Sequence, residues 1–200
     1  MPTVTDRALK VFRTHGGMLR TTDALAAGIH PRTLYAMRDA GEIEPLARGV
    51  YRLRSLAPLS NPDLATVAMR VPHGVICLVS ALAFHELTTQ VPHEIHIAIS
   101  RTARPPRLAF PPLRVYRFST AAFEAGVDIY SLDRISVRVY SPEKTLADCF
   151  KYRSKIGMDV VLEAIRNYRQ RGRPQFQKIL EYAKLCRVER IIRPYLEAMA

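Results

Sequence analysis

Two hundred residues, 48% hydrophobic and 24% charged, allow one large domain or two small ones and exclude a disordered or collagen-like chain. Thirty Lys and Arg against eighteen Asp and Glu leave a net charge of +12. A field of that sign draws polyanions, nucleic acid foremost, the plainer alternative being solvated arginine faces. No apolar run approaches the roughly 18 residues of a membrane helix, and the N-terminus lacks the basic-then-apolar order of a secretion signal, so a cytoplasmic chain is expected.

In chain order, Thr5 is the expected cap of a first helix with Leu9 and Phe12 on one face, ended by Gly16-Gly17. Met18-Leu19-Arg20 is a short extended piece. Thr21 or Thr22 caps a second helix with Asp23 in its first turn, and Gly28 stops it. Pro31 opens a third helix, where its missing N–H costs nothing. That helix buries Leu34 and Met37 and runs to Gly41. Two extended runs, around Ile43 to Ala47 and Val50 to Leu53, flank the Arg48-Gly49 turn as a β-hairpin.

Helix, helix, proline-started helix and hairpin is the order of a winged helix-turn-helix. A recognition helix must present side chains near its N-terminus to base edges in the major groove, and Arg32, Thr33, Tyr35 and Ala36 are placed to do so. Arg48 at the hairpin tip suits a phosphate or the minor groove. The candidate DNA contacts are therefore Arg20, Arg32, Thr33, Tyr35, Ala36, Arg48 and Tyr51, with Tyr51 reading equally as half-buried core. A winged helix used for protein contacts is the alternative.

Three stretches carry a family resemblance. LYAMRDAGEIEPLARGVYRL contains Gly41, Ile43, Leu46, Arg48, Gly49, Val50 and Tyr51; it resembles the helix, strand, Arg-Gly turn and Gly-Val-Tyr strand of AbiEi-family antitoxins. VSALAFHELTTQVPHEIHIAIS, Val79 to Ser100, resembles that family's Ser-Ala-Leu helix and strand. VYSPEKTLADCFKYRSKIGMDVVLEAIRNY, Val139 to Tyr168, resembles its Pro-Glu-Lys-Thr-Leu-x-Asp helix. Together they span from about residue 5 to about residue 185. The resemblance implies the antitoxin of a type IV toxin–antitoxin pair with a part in phage defence. Such an antitoxin represses its own operon by binding double-stranded operator DNA. It counteracts a nucleotidyltransferase toxin without a stable complex, a role implied for the second domain. Cooperative binding or a homodimer on DNA is left open.

Pro58, Pro62, Ser55 and Ser60 interrupt periodicity, so the expected division is a winged helix over 1–54, a linker over 55–60 and a second domain over 61–200. Both halves are basic: nine basic against five acidic residues in 1–54, and 21 against 13 thereafter. Asn61-Pro62 starts a helix. Residues 75–79 read as a strand or the lead-in to a helix over 80–87. Residues 95–99, 113–118, 127–132 and 135–140 read as strands, the last two joined by an Asp133-Arg134 turn. Ser141 caps a helix over 142–152, with Pro142 at its first position and Glu143 in its first turn; further helices are expected over 158–170, 174–185 and 188–199. The fold class is α+β: an N-terminal winged helix-turn-helix, then a small mixed sheet with a helical C-terminal tail.

No catalytic set is visible. His85-Glu86 lacks a second histidine four residues on. His93 and His96 point to opposite faces of a strand, so no metal site is expected. Glu143-Lys144 lacks the Glu-x-Lys of a PD-(D/E)xK nuclease and reads as a helix-start charge. Ser80 has no nucleophile elbow, and no Gly-rich phosphate loop or Gly-Ser with paired acids is present, so neither cofactor nor catalysis is expected. Cys77, Cys149 and Cys186 are far apart and read as reduced thiols. Arg101, Arg104, Arg107, Arg114 and Arg117 fall within seventeen residues with no acid, and Arg166, Arg169, Arg171 and Arg173 form a second cluster. The first cluster is a DNA flank, a docking surface for an acidic partner, or a solvated loop; the second stands at a helix end, where the C-terminal dipole accounts for part of it without any ligand. A stand-alone winged-helix regulator, or a nuclease targeted by its winged helix, are the other functional readings.

Overall fold

A computed structural model describes residues 3–198. By contacts the chain forms two units, Met1–Pro72 with Ser131–Ser136, and His73–Tyr130 with Val137–Ala200.

The first unit begins with α1 (Val4–Thr14). Thr3 Oγ1 accepts the Asp6 N–H at 3.1 Å, and Asp6 Oδ2 accepts the Thr3 N–H at 2.9 Å. This reciprocal box caps the helix two residues before the expected Thr5, because only from Thr3 does an acid fall three positions on. After β1 (Met18–Arg20) comes α2 (Thr21–Ala26), which has no side-chain cap; Thr21 and Thr22, the expected caps, lie inside the helix. Instead the Thr21 N–H donates to Gly49 O at 2.9 Å, so the wing turn anchors the helix start. Next are α3 (Pro31–Asp39), β2 (Ile43–Ala47), β3 (Val50–Leu53) and α4 (Pro62–Arg70). The strands form an antiparallel sheet in the order β1-β3-β2. Arg48 and Gly49 make the wing turn, and Gly49 sits at φ +73°, a left-handed backbone that a side chain would strain. Phe12, Leu34, Met37, Ile43 and Leu53 fill the core, each such side chain contributing about 1.5–3 kcal/mol by its burial.

The expected linker is held rather than free. Arg52 Nη2 donates to Leu56 O and Ala57 O at 3.0 and 2.6 Å, and Asp133 Oδ2 accepts from both N–H and hydroxyl of Ser60 at 2.8 Å. Asn61 Oδ1 caps α4 through the Leu64 N–H, and Arg70 Nη1 donates to Arg48 O at 2.8 Å. These bonds gather residues 55–72 into the first unit, whereas the sequence places the division at 55–60 and α4 in the second domain.

The second unit contains β4 (Val75–Ile76), α5 (Leu78–Phe84), β5 (Ile95–Ser100), β6 (Leu113–Phe118), α6 (Thr120–Glu124) and, apart from their joined ends at 131–136, β7 (Val127–Leu132) and β8 (Ile135–Tyr140). Five helices follow: α7 (Pro142–Lys151), α8 (Arg153–Ile156), α9 (Met158–Gln170), α10 (Phe176–Cys186) and α11 (Glu189–Glu197). Residue 199, the expected end of the last helix, lies outside the described residues. The mixed sheet has the order β6-β5-β4-β8-β7. β5 and β6 run parallel, with His96 opposite Arg114 and Ala98 opposite Tyr116.

Helix α7 lies at the centre of this unit, with every residue from Glu143 to Phe150 buried. Lys144 is 0% and Asp148 1% exposed, and their Nζ and Oδ2 are 2.5 Å apart. Lys144 lies 4.2 Å over the Tyr140 ring, and Cys186 Sγ donates to Asp148 Oδ1 at 3.1 Å. Burial pushes the Asp148 carboxyl up against the opposing pull of Lys144. A Cβ at Gly126 would come within 2.7 Å of Lys144 Cβ, so glycine there lets the chain pass the buried lysine. Glu143 accepts from the Tyr168 hydroxyl at 2.6 Å and faces Lys178 Nζ at 3.6 Å. Burial alone would raise its pKa; the Tyr168 bond and Lys178 together hold it low. Glu143 therefore does more than start a helix: it ties α7 to α9 and α10.

Candidate nucleic-acid interface

Pro31 starts α3, and His30 caps it: its Nδ1 accepts the Arg32 N–H at 3.2 Å. Leu34 and Met37 are buried, while Arg32, Tyr35 and Ala36 are exposed on the other face. Arg38 lies 5.1 Å over the Tyr35 ring and its Nη2 is 2.8 Å from Asp39 Oδ1. An aromatic and a cation are thus presented together on the helix surface.

The other expected contacts fall in three groups. Arg48 is exposed on the wing turn, with its carbonyl held by Arg70. Arg20 is half-buried at the start of α2, its Nε 4.0 Å from Asp23, and Thr33 is half-buried in the groove between α1 and the turn before α3. Tyr51 is 8% exposed and belongs to the core of the first unit, because β3 is the central strand and its side chains are covered on both faces. It is withdrawn from the contact face. His30, Arg38 and Arg70 are the residues sequence reasoning passes over. Arg38 was detectable as the residue three after Tyr35 on one helical stripe. His30 gives no such signal, since caps are read from Ser, Thr, Asp and Asn.

In the second unit, Arg101, Arg104 and Arg107 are exposed, with no carboxylate partner among the described residues. Arg114 pairs with Glu94 at 3.2 Å, and Arg117 Nη1 donates to Arg101 O at 2.7 Å. Arg166, Arg169 and Arg173 are exposed. Arg171 is engaged within the fold: it donates to His85 O, and its Nη2 is 3.7 Å from Glu86. All three cysteines are buried, and burial pushes their thiols up, Cys186 to about 12. No group of three His, Cys, Asp or Glu gathers into a metal site among the described residues. No helix among them is long and apolar enough to cross a membrane.

Residues 6–54 match the family model of the AbiEi antitoxin, a transcriptional regulator. The AbiEi match covers the first unit from α1 to β3, the segment that carries the helix and wing described above. No curated protein matches the chain. Among solved structures, the crystal structure of the RV2827C protein from Mycobacterium tuberculosis is similar, with a TM-score of 0.53 and 15% identity over 93% of this chain and 78% of that one. At that identity the likeness speaks for the fold, and it extends the common architecture beyond the winged helix.

Proposed function

We propose that this chain is a cytoplasmic, DNA-binding transcriptional repressor of its own operon. It acts as the antitoxin of a type IV pair against a nucleotidyltransferase toxin, without a stable complex between the two. The observation that carries the reading is the exposed stripe of α3, Arg32, Tyr35 and Ala36, flanked by Arg48 on the wing, within the segment that matches the AbiEi antitoxin regulators. In this reading α3 enters the major groove, the His30 end of the helix and Arg48 take phosphates, and the second unit carries the antitoxic role without catalysis or cofactor. A stand-alone regulator with no toxin is the second reading, favoured by one fact: the family match stops at residue 54.

Fluorescence anisotropy with the upstream promoter duplex tests the DNA reading. With about five phosphates neutralised, log K against log salt should fall with a slope near −4 to −5. A flat dependence, or no preference over random duplex, would sink it. A nucleotidyltransferase gene beside this one separates the antitoxin from the stand-alone regulator.

A further inference from the structure

The second unit holds a cavity of about 430 Å³ that lies outside the family-matched segment. The parallel register of β5 and β6 creates its polar wall: His96 and Arg114 are direct neighbours and project from the same side of the sheet, with Tyr116 next on that side, behind the lining residues. Val79 and Ile156 supply an apolar wall, and Lys155 a second cation.

Two unpaired polar atoms stand in the wall of this cavity and directly behind it. His96 is only 5% exposed, and its Nδ1 has no hydrogen-bond partner; the buried hydroxyl of Tyr116, whose ring centroid is 5.4 Å from that of His96, has none either. Unpaired buried polar atoms cost about 1–3 kcal/mol each and are uncommon without a role. Burial lowers the His96 pKa to about 4 and raises that of Tyr116 to about 12, so both are neutral hydrogen-bonding groups near pH 7. Arg114 and Lys155 both line the cavity, and Arg114 is held by a carboxylate, Glu94 Oε1 at 3.2 Å. A site that already seats one carboxylate against Arg114, beside an apolar wall and a neutral imidazole, has the chemistry of an organic-acid pocket. Its volume falls in the range of roughly 300–1,000 Å³ usual for small-molecule sites.

We propose that this cavity binds a small organic anion, a carboxylate on an apolar body, with the carboxylate displacing Glu94 from Arg114 and reaching Lys155 while the body lies on Val79 and Ile156. The site does not depend on the DNA reading and has its own test.

The full-length protein is titrated with 8-anilinonaphthalene-1-sulfonate, an apolar anion whose fluorescence rises on binding, and the bound probe is competed with 1-naphthoate or its uncharged analogue 1-naphthamide. Saturable binding displaced by the naphthoate and not by the amide is expected. Arg114→Gln and Lys155→Gln, both at exposed positions, should each weaken naphthoate about tenfold. Glu94→Gln, which removes the internal competitor, should tighten it severalfold. Equal competition by acid and amide, or unchanged naphthoate affinity in all three variants, would overturn the proposal; circular dichroism of each variant verifies that the fold is intact.

Discussion

Single side chains in this molecule are often set by burial rather than by charge. His96 is the clearest case: desolvation depresses its pKa to about 4, with Glu94 opposing and Arg114 assisting. Between the unfolded value near 6.5 and about 4, the unfolded chain binds a proton that the folded chain does not. Stability is therefore complete above pH 6.5 and declines as pH falls through that window, by at most about 1.4 kcal/mol per unit and by about 3 kcal/mol in total. His85, also depressed by burial, where its Nε2 donates to Tyr140 O at 2.7 Å, acts with the same sign. Urea midpoints at pH 7, 6 and 5 for the wild type and His96→Phe are the measurement. The variant should lose less stability on acidification; equal slopes would show that the His96 ring is not uncharged in the fold. Arg52 makes the complementary point. It stands on the wing strand of a basic protein, yet its guanidinium is spent on Glu44 at 3.1 Å and on two backbone carbonyls. Its role is to hold the residues after the wing, and nothing in its sequence position separates it from Arg48.

At the scale of elements, α3 and the wing should divide their work. Arg32→Ala should relax base preference at one operator position by about 1–3 kcal/mol, whereas Arg48→Ala should weaken all duplexes alike and reduce the salt slope by about one. Identical behaviour of the two variants in a competition series against single-base operator changes would refute that division. Helix α7 gives a stability test. Lys144→Met strands the Asp148 carboxylate in the core and should cost about 3–5 kcal/mol; adding Asp148→Leu should recover much of it, because an apolar pair needs no desolvation. Thermal melts of the single and double variants decide, and a double variant no better than the single would mean that the pair is not coupled.

The winged helix and the β7–β8 hairpin were legible because local signals agree there. Pro31 at a first helical position, Leu34 and Met37 three apart, and alternation on either side of Asp133-Arg134 all specify one answer. Helix α6, five residues long, was too short to show a period, and it is absent from the sequence reading. The buried polar face of α7 was hidden for a different reason. Lys144 and Asp148 are four apart, the spacing of a solvent-exposed helix pair, and only the enclosing helices turn it inward. Tyr51 was ambiguous for the same reason: whether β3 is an edge or a central strand is decided by β1, which lies more than thirty residues earlier. Of the proposed contact face, the exposure of Arg32, Tyr35, Ala36 and Arg48 was readable from the amphipathic helix and the turn, while His30 became visible only with its cap bond.

For the whole molecule, the consequence lies in where the chain can be cut. Proline and serine at 55–62 mark a break in secondary structure, but Arg52, Asp133 and Asn61 convert that break into an anchored crossing, and α4 clusters with the winged helix. A fragment starting at Asn61 keeps α4 without the winged helix it clusters with, while one starting at His73 keeps the whole second unit and, of the first, only the short segment 131–136. The fragment 73–200 should therefore be the better behaved of the two, with the sharper urea transition. On the proposed division of roles it should bind no operator, yet retain rescue of cells expressing the neighbouring nucleotidyltransferase. Reversing Arg101, Arg104 and Arg107 to Glu, or Arg166 and Arg169 to Glu, tests whether either exposed basic cluster meets an acidic target; Arg171 is left in place because it serves the fold. Growth on co-expression at matched protein levels is the readout. Loss of rescue with one cluster reversed would locate the working surface, and unchanged rescue with both reversed would remove the clusters from that role. Full rescue by residues 1–72 with none from 73–200 would reverse the assignment and place the antitoxic function on the winged helix itself.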